Sequence, residues 1–324
     1  MNVLITGGAG YIGSVCTEWF LKAGHSVTVY DNLSEGHRSA IDPGAVFVEG
    51  DCLDVGRVRA ALKSGRIEMV VHLAAFALVG ESMRLPGKYF VNNAFGTQSL
   101  LDACVHEGVR KIVFSSTCAT YGIPQDASNL DEDHPQLPVN PYGESKRMVE
   151  RMLHWYQQIH SLEFVAFRFF NAAGATLSHG EHHRIETHLI PNVLKVALGQ
   201  APDCEVFGID YPTPDGTCLR DYVHVEDLAQ AHLKALSFPG SGFFNLGNEV
   251  GSSVLDVIQA CESVTGRKIP FRTQPRRPGD PPRLVASTAK ARRELGWEPR
   301  HPTLEGVIDS AWQWHRRHPS GYLD

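Results

Sequence analysis

Thr6-Gly7-Gly8-Ala9-Gly10-Tyr11-Ile12-Gly13 decides the fold of this 324-residue chain. It closes a β-branched run, Asn2–Thr6, and opens a helical pattern, Tyr11–Ala23. The spacing G-x-x-G-x-x-G is a variant of the turn that cradles a dinucleotide pyrophosphate. Gly7 allows the tight turn. Gly10 lets backbone N–H groups approach the phosphates, and Gly13 lets the helix sit close to the strand. Tyr11 and Ile12 start a helix whose N-terminal partial positive charge faces the anion. Three glycines alone describe many flexible turns. Here a strand precedes, a helix follows, and Asp31 ends the second strand. An acid there accepts from the ribose 2′-OH and repels a 2′-phosphate, so the expected cofactor is NAD and not NADP. Arg38 is the nearby cation that argues the other way.

The same alternation continues. Strand-like runs stand at Ser26–Tyr30, Ala45–Val48, Ile67–Leu73, Lys111–Ser115 and Glu163–Phe169. Helical patterns between them cover Val55–Lys63, Leu85–Glu107 and Tyr142–His160. Strands alternating with helices of this length predict an α/β fold, a doubly wound parallel sheet. Residues 1–170 form the expected NAD-binding domain, with a return segment around 220–246. After Phe170 the loops lengthen and Pro275, Pro278, Pro281 and Pro282 cluster. Residues 171–324 are expected to form mainly a smaller C-terminal α/β substrate lobe.

Lys+Arg is 30 against Asp+Glu 36, a net charge of −6, which excludes a generally basic nucleic-acid binder. A composition 43% hydrophobic and 20% charged excludes a disordered chain. No apolar stretch is long enough to span a membrane, and the first residues show no signal peptide. The seven cysteines are scattered without a CxxC. They are read as reduced thiols of a cytoplasmic protein, neither a disulfide frame nor a zinc site.

Candidate chemistry gathers at strand ends. Asp51, in Gly50-Asp51-Cys52, is placed to accept from an adenine amino group. Leu73, Ala74 and Ala75 are small or apolar residues that leave room for cofactor, and His72 before them reads as a core histidine. Tyr142 and Lys146 share one helix face at i, i+4. A nearby ammonium stabilises phenolate, so the pair predicts a general base usable near neutrality. Thr117, just past the fifth strand, is placed to hydrogen-bond the substrate hydroxyl. His179, Glu181, His182, His183, Glu186 and His188 crowd one loop. Without an H-x-x-x-H pattern or a cysteine partner, it reads as a polar loop covering substrate, and no metal is expected.

These motifs resemble the extended short-chain dehydrogenase/reductase family, with its Rossmann-type sheet, and within it the UDP-glucose 4-epimerases. The resemblance runs along the whole chain. It includes Tyr30-Asp31-Asn32-Leu33, Phe114-Ser115-Ser116-Thr117, Pro141-Tyr142-Gly143, Phe169-Phe170-Asn171 and Arg220-Asp221-Tyr222-Val223-His224-Val225. It continues through Phe243-Phe244-Asn245-Leu246-Gly247 and Arg276-Arg277-Pro278-Gly279-Asp280 to His318-Pro319-Ser320-Gly321-Tyr322. It implies Tyr142 as base, Lys146 as its partner and Thr117 beside it. It implies cofactor contacts at Asn32, Cys52, Asn92, Ser115 and Phe169. Asn171, Leu189, Phe207, Arg220, Arg277 and Asp280 match positions that hold UDP, and both guanidinium forks suit a diphosphate. His188 stands where some relatives have asparagine beside that diphosphate. Ala77 replaces a lysine that some relatives place near the cofactor.

The implied activity is interconversion of UDP-glucose and UDP-galactose through a 4-keto sugar, by a homodimer without nucleic-acid or membrane partners. Epimerases of UDP-pentoses or UDP-uronic acids share these motifs and stay open, as does a non-catalytic NAD sensor. A 4,6-dehydratase fits poorly, because Cys118 and Ala119 follow Thr117 where that chemistry needs an acid/base pair. Leu284 matches the position beside the hexose C2 substituent. Leucine there, in place of tyrosine, implies room for an N-acetyl group.

Overall fold

The computed structural model describes residues 1–277 and 279–324. Its main sheet has seven parallel strands in the order β10-β6-β5-β4-β1-β2-β3. They are β1 (Asn2–Thr6), β2 (Ser26–Asp31), β3 (Val46–Glu49), β4 (Met69–His72), β5 (Lys111–Thr117), β6 (Glu163–Phe169) and β10 (Gly242–Leu246). Apolar clusters pack on both faces of this sheet. Val3, Ile5 and Val71 point to one; Leu4, Val70 and Ile112 point to the other. Strands buried on both faces are why these runs lack alternation. The chain order reverses at β1, which leaves a crevice beyond the strand ends.

Helix α1 (Tyr11–Lys22) packs against α8 (Val225–Ala235) on one face. On the other lie α2 (Val55–Ser64), α5 (Gly96–Glu107) and α6 (Pro141–His160). The sequence suggested one helix over Leu85–Glu107. Short helices α3 (Val79–Ser82) and α4 (Pro86–Tyr89) instead lead into a π-helical turn, Phe90–Phe95, before α5. The Thr97 hydroxyl donates to Asn93 O at 2.5 Å, and the widened turn buries Asn93. Such insertions gather at functional sites.

The return segment also differs from expectation. Strand β9 (Leu219–His224) belongs to a second sheet with β7 (Asn171–Ala173), β11 (Gly251–Ser253) and β13 (Arg283–Leu284). Only α8 and β10 rejoin the main sheet. Strand β8 (Cys204–Phe207) pairs with β12 (Phe271–Gln274). Helices α7 (Leu189–Ala197), α9 (Val254–Thr265) and α10 (Leu304–Arg317) complete this lobe around their own apolar cluster. Among the described residues, no helix is long and apolar enough to cross a membrane.

Candidate active and cofactor site

The nucleotide turn is built by steric necessity. Gly7 has φ +73°, and a Cβ there would fall 2.6 Å from Ala74 N. A Cβ on Gly13 would fall 2.1 Å from Gly7 O. Gly10 differs from its expected part, because its own N–H donates to Gly7 O at 3.1 Å and closes the turn. The open donors begin at Tyr11. Among the described residues, no acceptor meets the N–H groups of Tyr11, Ile12 or Gly13, and no side chain caps α1. A helix start left uncapped is a ready anion site.

Asp31 lies buried at the end of β2. Its carboxylate accepts from Ala9 N at 3.0 Å and Leu33 N at 2.8 Å. Burial raises its pKa, and these two hydrogen bonds oppose the rise. Asn32 donates to the Asp51 carboxylate at 2.8 Å, and Tyr30 donates to Asp51 O at 2.9 Å. Asn32 and Asp51 are therefore joined beside Asp31, with Cys52 next in the chain. Arg38 is engaged elsewhere, 3.4 Å from Glu49 and 4.8 Å from the centre of the Phe47 ring. His72 has Thr6 and Thr97 hydroxyls at 2.6 and 2.7 Å, and burial pushes its pKa down to about 3. It is a core histidine. Leu73, Ala74 and Ala75 follow it out of the sheet.

Asn140 caps α6 by accepting from Gly143 N at 2.8 Å. The cap places half-buried Tyr142 in the first turn and Lys146 one turn on. Thr117, at the end of β5, accepts from Ala119 N at 3.1 Å, and its hydroxyl is near enough to the Tyr142 phenol to favour the phenolate. Lys146 Nζ donates to Ser115 O at 2.8 Å and lies 4.8 Å from the Phe114 ring centre. Burial pushes the Lys146 pKa down to about 7. It pushes the Tyr142 phenol up to about 12, only partly opposed by Thr117. Burial therefore dominates both groups in the protein alone, and Lys146 Nζ is directed at Ser115 O.

The opposite wall comes from the second lobe. Arg220 donates to Leu219 O at 2.8 Å and pairs with Asp280. Arg277 stacks on Phe207, 4.0 Å from the ring centre. Leu284 is the strand partner of Arg220 and packs with Cys118, Tyr121, Leu130 and Phe170. Asn171, His188 and Leu189 line a small cavity with Glu181 and Tyr222. Pro278 lies outside the described residues. Phe169 ends β6 and packs with Phe167 and His232, and Ala77 follows the Phe76–Asn93 contact.

Residues 3–247 match the NAD dependent epimerase/dehydratase family. The chain belongs to that family. It is 49% identical over 328 residues to a UDP-glucose 4-epimerase of Halalkalibacterium halodurans, covering 99% of this chain and 98% of the other. A crystal structure of a UDP-glucose 4-epimerase, 48% identical, matches it with a TM-score of 0.96 over 99% of each chain. The UDP-glucose 4-epimerase of Bifidobacterium longum, solved in complex with NAD+ and UDP, is 36% identical. It matches with a TM-score of 0.95 over 99% of this chain and all of that one.

This epimerase/dehydratase family member holds its site together with residues the sequence reading passed over. Asn93, next to Asn92, bonds Phe76 N at 2.9 Å, Phe76 O at 3.0 Å and Ser145 Oγ at 3.1 Å. It ties the Leu73–Phe76 segment to α6, whereas Asn92 is half-buried and donates to the Asn93 side chain. Below Thr117, buried Glu150 accepts from Ser116 Oγ at 2.5 Å and is forked by Arg168 at 3.1 and 2.8 Å. Arg168 inside the apolar run Phe164–Phe169 was the available signal. Finally, Arg184 donates to Leu33 O, Ser34 O and Gly36 O, and Asp324 accepts from Ser39 N and Arg38 N. The second lobe thereby clasps the loop that follows Asp31.

Proposed function

We propose that this chain interconverts UDP-glucose and UDP-galactose, using NAD, through a transient 4-keto sugar. The observation that carries the reading is the convergence of Thr117, Tyr142 and Lys146 at one strand-end corner beside the nucleotide turn. Tyr142 takes the 4-OH proton and Thr117 orients it. Bound NAD supplies the hydride acceptor and donor at C4. Lys146, directed at Ser115 O, is placed to hold the nicotinamide ribose. Arg220 and Arg277 hold the diphosphate while the hexose presents either face. Residues 1–170 with α8 and β10 carry the cofactor, and the second lobe carries the nucleotide sugar. Exposed Val91, Phe95, Trp155 and Ile159 on the α5–α6 side suit a twofold mate. Seven free cysteines suit a reducing cytoplasm.

The test is turnover of UDP-galactose by the protein as purified, with no nucleotide added. UDP-glucose should appear, and denatured protein should release NAD(H) and not NADP(H). Turnover confined to UDP-pentoses or UDP-uronic acids would overturn the sugar assignment. No turnover with NAD bound would favour a sensor.

Two variants probe the roles. Lys146→Ala should lower turnover and move the acidic limb of the pH–rate profile upward, because phenolate loses a neighbouring cation. An unmoved profile at full cofactor content would limit Lys146 to holding ribose. Leu284→Tyr concerns breadth. Wild type should act on both UDP-galactose and UDP-N-acetylgalactosamine, and the variant should lose the N-acetyl substrate selectively. Equal losses in kcat/KM, or no wild-type N-acetyl activity, would refute room at C2.

A further inference from the structure

The loop Ser178–His188 gathers four side chains that the proposed reaction leaves unused as a group. Glu181, His183, Glu186 and His188 bring one ligand atom each to within 4.8 Å of one another. Glu181 is 5% exposed, and the other three are half-buried. Glu181 Oε1 lies 2.8 Å from His188 Nδ1 and 3.2 Å from His183 Nε2. Glu186 Oε1 lies 3.2 Å from the same His188 Nδ1. In a tetrahedral zinc site with bonds of about 2.0–2.1 Å, ligand atoms stand about 3.3 Å apart. Two of the three distances, both 3.2 Å, are close to that edge, and the third, 2.8 Å, is shorter. The direction is equally telling: His188 Nδ1 is buried, yet neither carboxylate meets it with hydrogen-bond geometry.

We propose that Glu181, His183, Glu186 and His188 form a four-coordinate site for a zinc-class divalent cation. Two imidazoles select a transition metal over magnesium or calcium, and two carboxylates balance its charge. The spacing along the chain hid the site, because these residues do not lie on a regular helix. The turn closed by the cation carries Arg184, which clasps Leu33, Ser34 and Gly36. The metal therefore fixes the strap across the two lobes and takes no part in hydride or proton transfer. A second cluster, His224, Glu226 and His301, lacks this openness. His224 Nδ1 already accepts from Glu226 N at 3.1 Å, and its Nε2 lies 2.8 Å from Ser310 Oγ.

The test strips the full chain with chelator, titrates it with Zn2+, and repeats the titration with Co2+. One equivalent per chain should bind, and cobalt should show the strong visible absorption of a four-coordinate site. Glu181→Gln and His183→Gln should each weaken binding by more than about 100-fold, since outer-shell changes alone already cost 10–100-fold. His301→Gln should leave binding unchanged. His183 is half-buried, so His183→Gln decides the matter if Glu181→Gln does not fold. Failure of the wild type to bind either ion would reduce the cluster to a network of ion pairs and overturn the proposal. So would binding that survives His183→Gln, or six-coordinate cobalt. None of these readouts depends on epimerase activity.

Discussion

Tyr142→Phe should keep its NAD and lose turnover of UDP-galactose by about 10²–10⁴-fold. The ring stays, so the first turn of α6 and its Asn140 cap are undisturbed. Only the hydroxyl beside Thr117 is lost. The phenol is pushed up to about 12 in the chain alone, so a base at neutrality needs added positive charge when the site is loaded. Oxidised nicotinamide carries such a charge. The phenol should therefore titrate lower with NAD+ bound than with NADH, readable from its ultraviolet absorbance. Near-normal epimerisation by the phenylalanine variant would remove Tyr142 from the reaction.

Gly13→Ala should strip the chain of cofactor while leaving both lobes folded. The added Cβ would sit 2.1 Å from Gly7 O, a backbone atom with no flexible end to yield. Helix α1 must move off the turn, and overpacking of this kind costs about 1–3 kcal/mol. The displaced donors are the N–H groups of Tyr11, Ile12 and Gly13. Co-purifying NAD should fall at least about tenfold, equivalent to 1.4 kcal/mol of binding. Circular dichroism should stay near wild type. Full NAD content would show that these donors do not hold the pyrophosphate.

The main sheet was legible because period and punctuation agreed from Asn2 to Phe169. The π-turn at Phe90–Phe95 was not, because a widened turn leaves apolar spacing almost unchanged. Asn93 hid behind Asn92, since nothing in two adjacent asparagines says which one turns inward. Tyr142 and Lys146 were legible as neighbours four residues apart. Their proton affinities were not, because burial is a property of the folded surroundings. The Arg220–Asp280 pair spans 60 residues, and the Asp324 contacts with Arg38 and Ser39 span more than 280. Contacts over such distances leave no mark on local spacing.

Strand β10 sets a limit on how this protein can be divided. It lies beside β6 and reaches the sheet only after the chain has passed through β7, α7, β8 and β9. A chain cut at residue 170 would expose the N–H and C=O groups of β6 as a bare edge. It would also uncover α1 where α8 packs. The cofactor lobe is therefore not a detachable module, and exchange of substrate lobes between relatives by one crossover would leave a damaged sheet. A workable chimera has to carry Val225–Leu246 with the N-terminal parent, which demands three junctions in place of one.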